Sequence, residues 1–404
     1  MDRSIESQTL MPNGARRLGD LARERIKEEA RQTLGSTTEF MLNTADYSRT
    51  ERLWPAEPAV FDTNPLSVAH GACGPALYLN SPATPGELPD RAVRWILDSP
   101  VSTDSYPPGL YLGLAGMACT LFRLGLPERG IEVMRLACRS PLLFDEPGFL
   151  LGAAGWGQAA LHFYRGTGND LWLQWAVRAG EYLLRTARHD GDTCYWIRND
   201  DGRVHYGFGH GASGIAMFLC GLQASTGTEA FGSAASKAVA FDLKHQSDSG
   251  LCCAWQRFEG DTLEMPYLVH GSAGIGSALL RCHAATGEAH YLTTAYRIAQ
   301  GSFVKFAAAP GLFEGLTGIA EFMLDMHRFT GEGQYLDQAL DMAESVGWFA
   351  IRTDEGVAWP GKWLDNISND YAAGAAGIGL FFARLLNPGE RLFLDLPPGS
   401  GSGP

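Results

Sequence analysis

The feature that most constrains the fold is a short glycine motif, Gly-x-x-Gly, that occurs seven times along the chain. The copies are HGACG, LGLAG, LGAAG, HGASG, HGSAG, EGLTG and AGAAG, with first glycines at Gly71, Gly113, Gly152, Gly211, Gly271, Gly315 and Gly374. Successive first glycines are 42, 39, 59, 60, 44 and 59 residues apart. A repeat at this spacing indicates one supersecondary unit that is used many times, each unit covering the apolar face of its neighbour.

Each unit has the pattern of a helix pair. An apolar stretch of about three turns follows the glycine motif. In four units a Thr-Gly pair begins twelve residues after the second glycine, at Thr167, Thr226, Thr286 and Thr330. Glycine there suits a left-handed helix cap. A more amphipathic stretch comes next, so we expect the first helix to be buried all round and the second to lie outside it.

The predicted fold class is therefore all-α, an α/α toroid of seven inner–outer helix pairs with the Gly-x-x-Gly turns at one end of a central cavity. A closed ring is favoured over an open solenoid, because a solenoid needs polar end repeats and the first and last repeats are as apolar as the others. The predicted domains are an N-terminal helix and lead-in at 1–44, the toroid at 45–395 and a disordered tail at 396–404.

Three stretches between repeats are long and carry tryptophan, namely 189–206, 248–268 and 353–371. Long ordered segments of this kind are often functional, so we expect hairpins or loops around the cavity mouth. Two interpretations stay open for their tryptophans, which either stack on a substrate or bury each loop against the ring. These residues are Trp196, Trp255, Trp359 and Trp363.

Charge and composition exclude several classes of protein. The chain has 32 Lys and Arg against 45 Asp and Glu, a net charge of −13, which argues against nucleic acid and anionic membranes as partners. No apolar run reaches the roughly 18 residues of a membrane span, and the start lacks the apolar core of a secretory signal. The eight cysteines are scattered, apart from Cys252 and Cys253, which predicts reduced thiols in a cytoplasmic protein.

With these seven turns on paired helices and His-Gly at the fourth, the chain resembles the lanthionine synthetase C-like cyclases over residues 45–390. The lead-in SRTERLWPAEPAVF and the following AHGACGPALYL are most similar to the C-terminal cyclase domain of class III lanthionine synthetases. The resemblance implies that a Cys thiol of a ribosomal precursor peptide adds to a dehydroalanine or dehydrobutyrine, giving lanthionine or labionin rings. It also implies kinase and lyase partners for dehydration, as separate enzymes or as domains of a longer synthetase.

The resemblance also bears on a metal. Zinc-bearing members of the family carry Cys two residues before the fifth motif and Cys-His just before the sixth. Val269, Phe313 and Glu314 stand at those positions here, and valine and phenylalanine cannot bind a metal. We therefore predict no zinc and no other cofactor, a departure that class III cyclase domains share. A family aspartate at the third turn falls on Gly148.

Three residues are predicted to act in catalysis. His210 stands at the histidine position of the family at a helix start, where a neutral imidazole can take the thiol proton and return it to the enolate. His270 and Glu314 precede the fifth and sixth motifs, and Glu314 is either a base or a group that grips the substrate. The alternatives are structural. The histidines would brace their turns, as His70 does in the first turn, and Glu314 would accept N–H bonds at a helix start.

Four further residues are predicted to contact the substrate, namely Tyr206, Tyr267, Asp145 and Trp255. The tyrosines precede the fourth and fifth turns, Asp145 lies near the third together with Glu146, and Trp255 lies in a mouth loop. Core packing is the alternative for the aromatic residues. The fourth turn also fits GxGxxG, but no βαβ unit surrounds it, so we reject dinucleotide binding.

Two other functions stay open at this point. A non-catalytic ring would hold the precursor peptide or dock a kinase–lyase partner. A carbohydrate-active toroid would need two carboxylates that face each other across the cavity, for which Glu314, Asp365 and Asp370 are candidates. The His-Gly turn favours the cyclase.

Overall fold

The computed structural model describes residues 17–247 and 254–397, which form fifteen helices and six short strands. The helices are α1 (Asp20–Asn43), α2 (Ala59–Asp62), α3 (Cys73–Leu79), α4 (Asp90–Asp98), α5 (Leu114–Arg123), α6 (Pro127–Ala137), α7 (Ala153–Thr167), α8 (Asp170–Thr186), α9 (Ala212–Thr226), α10 (Glu229–Lys244), α11 (Ser272–Thr286), α12 (Ala289–Ser302), α13 (Leu316–Thr330), α14 (Gly333–Gly347) and α15 (Ala375–Leu386). The strands pair as three antiparallel hairpins, β1 (Arg188–Asp190) with β2 (Thr193–Tyr195), β3 (Trp255–Gln256) with β4 (Glu264–Met265), and β5 (Ile351–Thr353) with β6 (Gly356–Ala358). In register, Arg188 lies opposite Tyr195, Trp255 opposite Met265 and Ile351 opposite Ala358.

Seven helices form a closed inner ring. They are α3, α5, α7, α9, α11, α13 and α15, and each begins within two residues of the first glycine of a motif. Each contacts the next in this order, and α15 contacts α3. The prediction of an all-α toroid with the glycine turns at one end is confirmed.

The glycines of the motif are needed where the chain turns into the inner helix. Gly271 has a φ of +103°, and a Cβ on it would lie 1.6 Å from the carbonyl oxygen of Met265. A Cβ on the second glycine of the fourth motif, Gly214, would lie 1.9 Å from the carbonyl oxygen of Phe208. At the other end of α9, Gly227 adopts a φ of +71° and donates its N–H four residues back (2.7 Å), as the Thr-Gly pattern predicts. Side chains at these places would collide with the backbone of the turn.

A circle of main-chain hydrogen bonds joins the seven turns. The residue two positions before each first glycine donates its N–H to the carbonyl of the corresponding residue in the next turn. The bonds run from Ala69 to Tyr111 (2.9 Å), Tyr111 to Leu150 (3.2 Å), Leu150 to Gly209 (2.8 Å), Gly209 to Val269 (2.9 Å), Val269 to Phe313 (3.2 Å), Phe313 to Ala372 (2.8 Å) and Ala372 to Ala69 (3.0 Å). Because these polar groups satisfy one another, the circle can lie in an apolar interior and fix the turns relative to one another.

The outer layer includes the N-terminal helix. Six outer helices, α4, α6, α8, α10, α12 and α14, each pack on the inner helix that precedes them. The seventh outer position is filled by α1, which packs on α15 and α14. Its apolar residues Ile26, Ala30 and Leu34 are buried, and Arg23 donates to Asp337 in α14 (2.7 Å). The sequence predicts this helix ahead of the ring, whereas the structure places it in the ring, because it covers the outer side of α15.

Two leucines of α1 test whether this helix stabilises the ring. Leu34 is 3% exposed and Leu21 is 83% exposed. We expect Leu34→Ala to lower the free energy of unfolding by about 2–4 kcal/mol, because it leaves a cavity under the buried face of α1. The same substitution at Leu21 should change it by less than about 0.5 kcal/mol. Urea unfolding measures both, and equally small losses would contradict the inclusion of α1 in the cooperative unit.

Tryptophans anchor the three hairpins to the outer helices. The indole of Trp196 donates to the carbonyl of Leu183 in α8 (2.9 Å), and that of Trp255 donates to the carbonyl of Asp242 in α10 (2.6 Å). Trp359 donates to the hydroxyl of Thr37 in α1 (3.0 Å), and all three indoles are buried. These tryptophans bury their loops, which is one of the two interpretations that the sequence leaves open. In contrast, Trp363 is 73% exposed.

The segment 391–395 fills the interior of the ring from the C-terminal ends of the inner helices. The carbonyl of Phe393 accepts a bond from the amide of Gln158 in α7 (3.3 Å), and its ring centre lies 5.8 Å from that of Tyr111 in the circle. Arg391 and Asp395 belong to a buried charge network whose other members are Arg281, Glu321, Asp325, Arg328 and Arg384. The inner helices are therefore not wholly apolar.

No helix of the described residues is long and apolar enough to cross a membrane. Six described cysteines are free and buried, and burial raises the pKa of Cys119 to about 12. Cys252 and Cys253, and the tail after Pro397, lie outside the described residues, so the predictions about them stay predictions.

Candidate active site

A cavity of about 400 Å³ lies at the turn end of the ring. Five of the residues that directly precede a motif glycine line it, and four of them carry polar side chains, namely His70, His210, His270 and Glu314, while the fifth is Ala373. Its apolar lining comes from residues of the hydrogen-bonded circle, namely Leu150, Val269, Phe313 and Ala372. The segments 57–62 and 362–363 contribute the rest of its mouth. The repeat therefore collects side chains that are far apart in the sequence into one space, including the three predicted catalytic residues.

His210 is held by the fourth turn. The carboxylate of Asp242 in α10 accepts the N–H groups of Gly207 (3.2 Å) and Ser213 (2.8 Å), which lie on either side of it. Burial lowers the pKa of His210 well below 6.5, and the positive charge of Arg198 adds to this effect. The imidazole is therefore neutral at neutral pH, which a proton acceptor requires.

Three histidine rings meet beside the cavity. The ring centres of His205 and His210 are 5.4 Å apart, those of His210 and His270 are 5.8 Å apart, and those of His205 and His270 are 6.2 Å apart. Asp201 orients His205 through a bond between Oδ2 and Nε2 (2.8 Å). Burial lowers the pKa of His205, and it lowers the pKa of His270 to about 4 although the Glu314 carboxylate opposes this. His205 does not precede a motif glycine, so the repeat does not predict its place in this cluster.

Glu314 connects His270 to a lysine. Its carboxylate lies 3.8 Å from Nε2 of His270 and forms an ion pair with the ammonium of Lys362. The nitrogen of Lys362 also lies 5.2 Å from the ring centre of the exposed Trp363. Glu314 is therefore a paired carboxylate at the mouth, and Lys362, which the sequence analysis did not name, belongs to the same site.

His70 is bound to a structural carboxylate. Its Nδ1 lies 3.1 Å from Oδ2 of Asp370, which is buried. The other oxygen of Asp370 accepts the N–H groups of Ala373 (2.8 Å) and Gly374 (3.1 Å). His70 thus connects the first turn to the seventh, as a bracing residue would.

The residues that line the cavity include none of the four predicted substrate contacts. Trp255 is buried beneath its hairpin. Tyr206 stacks on His245, with ring centres 5.0 Å apart, and burial raises its pKa to about 12. Tyr267 is half-buried and burial raises its pKa, whereas Asp145 is exposed. Substrate contact by these residues stays a prediction.

The third turn presents a glycine to His210. A Cβ on Gly148 would lie 3.2 Å from Cα of His210. The carboxylate of the nearby Glu146 accepts the N–H groups of Asp200 (2.7 Å) and Asn199 (3.2 Å). Glu146 therefore fixes the loop at 199–200 and does not supply the cavity with the carboxylate that the family places at Gly148.

The positions that the resemblance assigns to zinc ligands do not form a zinc-binding set. Val269 and Phe313 have no donor atom and pack in the apolar lining, and Glu314 is paired with Lys362. Within residues 17–247 and 254–397, no group of three or more His, Cys, Asp or Glu side chains is placed to hold a metal ion.

The buried histidines predict that acid destabilises the fold. The pKa of His270 is about 4 in the folded protein and about 6.5 in an unfolded chain. As the pH falls between these values the unfolded chain binds a proton that the folded protein does not, so the free energy of unfolding falls by up to about 3 kcal/mol for this group. We expect His270→Gln to reduce the loss between about pH 7 and about pH 4.5 by up to this amount, measured by urea unfolding, because burial also lowers the pKa of His162, His205 and His210 and these groups keep their share of the loss.

The control for this substitution is His290→Gln, because the side chain of His290 is 52% exposed. It should leave the pH dependence of the free energy of unfolding as in the wild type. An equal loss in the wild type and both variants would contradict the low pKa of His270.

Sequence comparison identifies a family. The family model of the lanthionine synthetase C-like protein matches residues 131–397. The chain is 30% identical over 374 residues to a probable SapB synthase of Streptomyces coelicolor (strain ATCC BAA-471 / A3(2) / M145). That alignment covers 89% of this chain and 38% of the relative, so the chain spans well under half of the relative's length.

Solved structures share the ring architecture. Nisin cyclase superposes with a TM-score of 0.60 at 12% identity, covering 80% of this chain and 89% of its own. The GH76A alpha-1,6-mannanase from Salegentibacter sp. HEL1_6 superposes with a TM-score of 0.51 at 13% identity, covering 90% of this chain and 98% of its own. At such identities these likenesses show the fold alone, whereas the family model covers well over half of the sequence. The chain therefore belongs to the lanthionine synthetase C-like family.

Proposed function

We propose that this chain is a class III lanthipeptide cyclase that forms lanthionine or labionin thioether rings in a ribosomal precursor peptide without zinc. The observation that carries the proposal is the neutral His210 at the cavity formed by the turns. The family match and the similarity to a probable SapB synthase support a peptide substrate. Kinase and lyase activities, in separate enzymes or in other domains, would dehydrate the peptide first, and we propose the cytoplasm as the compartment.

His210 is the proposed proton carrier. The thiol proton of the peptide passes to its neutral imidazole while the sulfur bonds to Cβ of a dehydroamino acid and the C=C electrons move to form the enolate. The imidazolium then returns the proton to Cα, so atoms and charge balance and no co-reactant is consumed. His270 is the positioning neighbour, because its ring lies between His210 and the carboxylate of Glu314. That carboxylate favours positive charge on His270.

The cavity disfavours one of the two alternative functions, the glycosidase, and is compatible with the other, the non-catalytic peptide-binding ring. A glycosidase needs two available carboxylates across the cavity. Asp370 is buried and occupied by His70 and two main-chain N–H groups, Glu314 is paired with Lys362, and Asp365 is exposed. These contacts disfavour sugar hydrolysis by the three carboxylates that the sequence offers as candidates. A ring that binds the peptide without catalysis is compatible with the same cavity and is separated from the cyclase by experiment.

The test uses a synthetic peptide that carries one cysteine and one dehydroalanine. Free thiol is followed by alkylation and mass spectrometry with and without the protein, and binding is followed by fluorescence anisotropy of labelled peptide. The proposed cyclase removes the alkylatable thiol faster than the peptide alone does, with no change in peptide mass. Binding with thiol loss at the uncatalysed rate would contradict the cyclase and leave the binding ring.

A further inference from the structure

A single cation faces the cavity among the described residues that line it. This cation is Lys362, whereas Glu57, Asp62 and Glu314 contribute carboxylates to the same lining. A negatively charged sulfur is repelled by carboxylates and stabilised by an ammonium group. The position of Lys362 therefore decides where in this cavity a thiolate can form.

The loop that carries Lys362 is fixed beside the cavity. Trp359 anchors one end through its buried indole. A Cβ on Gly361 would lie 1.7 Å from a carboxylate oxygen of Glu57, and that oxygen accepts the main-chain N–H of Lys362 (2.8 Å). Glycine thus allows Glu57 to approach and hold the main chain at this point.

The side chain of Lys362 is still able to bind a second anion. It is 41% exposed, and its ion pair is with Glu314. An ammonium group has three N–H donors, so a carboxylate and a thiolate can share it. The ion pair points the ammonium at the sixth turn, on the same wall of the cavity as His270.

The first step of the proposed reaction needs a cation near the sulfur. An ordinary thiol has a pKa of about 8.5, while the pKa of His210 lies well below 6.5 because of burial. Such an imidazole is a weak base towards a thiol but, once protonated, a strong acid towards an enolate. A neighbouring ammonium lowers the pKa of a thiol and so reduces this mismatch.

We propose, on the basis of the proposed cyclase function, that Lys362 is a catalytic residue whose ammonium group binds the substrate thiolate beside Glu314. The thiol proton passes to His210, the S–Cβ bond forms as the C=C bond opens to the enolate, and the imidazolium returns the proton to Cα. Lys362 keeps its proton throughout and contributes its charge.

The test compares Lys362→Met and Lys362→Arg with the wild type, with the peptide of one cysteine and one dehydroalanine as the probe. We expect Lys362→Met to lower kcat about 100-fold near neutral pH. The difference in kcat between the wild type and Lys362→Met should shrink as the pH rises, because the thiol then ionises without the help of a cation. In the variant, kcat should therefore rise with a pKa closer to about 8.5. Lys362→Arg should restore most of the rate, since it keeps the charge.

The pH comparison is made between variants because other titratable groups face Lys362 and the bound thiol. These groups are Glu57, Asp62, His70, His210, His270 and Glu314. All of them are kept in both variants. The charge of Lys362 also lowers the pKa of His270, so the profile of Lys362→Met is compared with that of Lys362→Arg, and the difference between the two reports the charge at this position.

A matched control is available in Lys305→Met. Lys305 pairs with Asp341 (3.4 Å) and lies 5.8 Å from the ring centre of Trp348. This resembles the arrangement of Lys362, which contacts a carboxylate and a tryptophan. However, Lys305 is not among the residues that line the cavity. Its replacement should leave kcat and its pH profile unchanged.

The outcomes separate this inference from the proposed function. A wild-type protein that forms no rings overturns both. Ring formation by the wild type with an unchanged rate in Lys362→Met overturns the inference alone. A loss of equal size at every pH also overturns it, because that result indicates support of the loop and not stabilisation of a thiolate.

Discussion

Replacing His210 with alanine is expected to lower the rate of thioether formation by about 10²- to 10⁴-fold, the usual contribution of a general acid–base group. The reason is the position of His210 in the cavity and its neutral state, which burial maintains. The rate is measured as loss of alkylatable thiol from the dehydrated peptide, with peptide binding measured in parallel. Binding should be retained, because the substitution removes a proton carrier and leaves the lining in place.

The control is His290→Ala on the exposed surface of α12, which should keep the full rate. A thermal unfolding curve for His210→Ala separates loss of chemistry from loss of fold. An unchanged rate in a folded His210→Ala protein would contradict the mechanism.

The largest expected effect on stability is at Asp325, in the charge network inside the ring. Its carboxylate lies 2.6 Å from Arg281, 2.6 Å from Arg384 and 3.1 Å from Arg391. Burial opposes the charged carboxylate, but these three guanidinium groups hold its pKa below the usual value. We expect Asp325→Asn to lower the free energy of unfolding by about 3–5 kcal/mol, because it leaves buried positive charge without its partner.

Urea unfolding measures this loss, with Asp354→Asn as the control. Asp354 is exposed between β5 and β6, and its replacement should change the free energy of unfolding by less than about 0.5 kcal/mol. A loss of similar small size at Asp325 would contradict the structural role of the network.

The glycine repeat was sufficient to predict the inner ring, because each motif must start a helix close to its neighbour. It could not predict the place of α1. The amphipathic pattern of α1 indicates that one face is buried, but it does not indicate which helix covers that face. The partner, α15, is more than 330 residues away in the sequence. The charge network was hidden for the same reason. From the sequence alone, Arg281, Asp325 and Asp395 cannot be distinguished from charged residues on the surface, because they meet only when four segments pack together.

The candidate site could be predicted where its residues occupy the same position in successive repeats. His70, His210, His270 and Glu314 all directly precede a motif glycine, and the circle of hydrogen bonds brings them to one cavity. Lys362 has no such position. Lys362 reaches Glu314 because Trp359 anchors its loop. The sequence feature that could have indicated Lys362 is its position between Trp359 and Trp363 in a long segment between two repeats. Tyr206 is buried and Tyr267 is half-buried, and sequence spacing does not distinguish such packing from contact with a substrate.

The sharpest test of ring formation by His210 without a metal is the rate of the metal-stripped protein. The purified protein is dialysed against a chelator, its metal content is measured, and the initial rate of thiol loss is compared with that of untreated protein and of protein given zinc. We expect the same rate in all three samples, well above that of the peptide alone. A rate that falls to the uncatalysed value on stripping and returns with zinc would contradict ring formation without a metal.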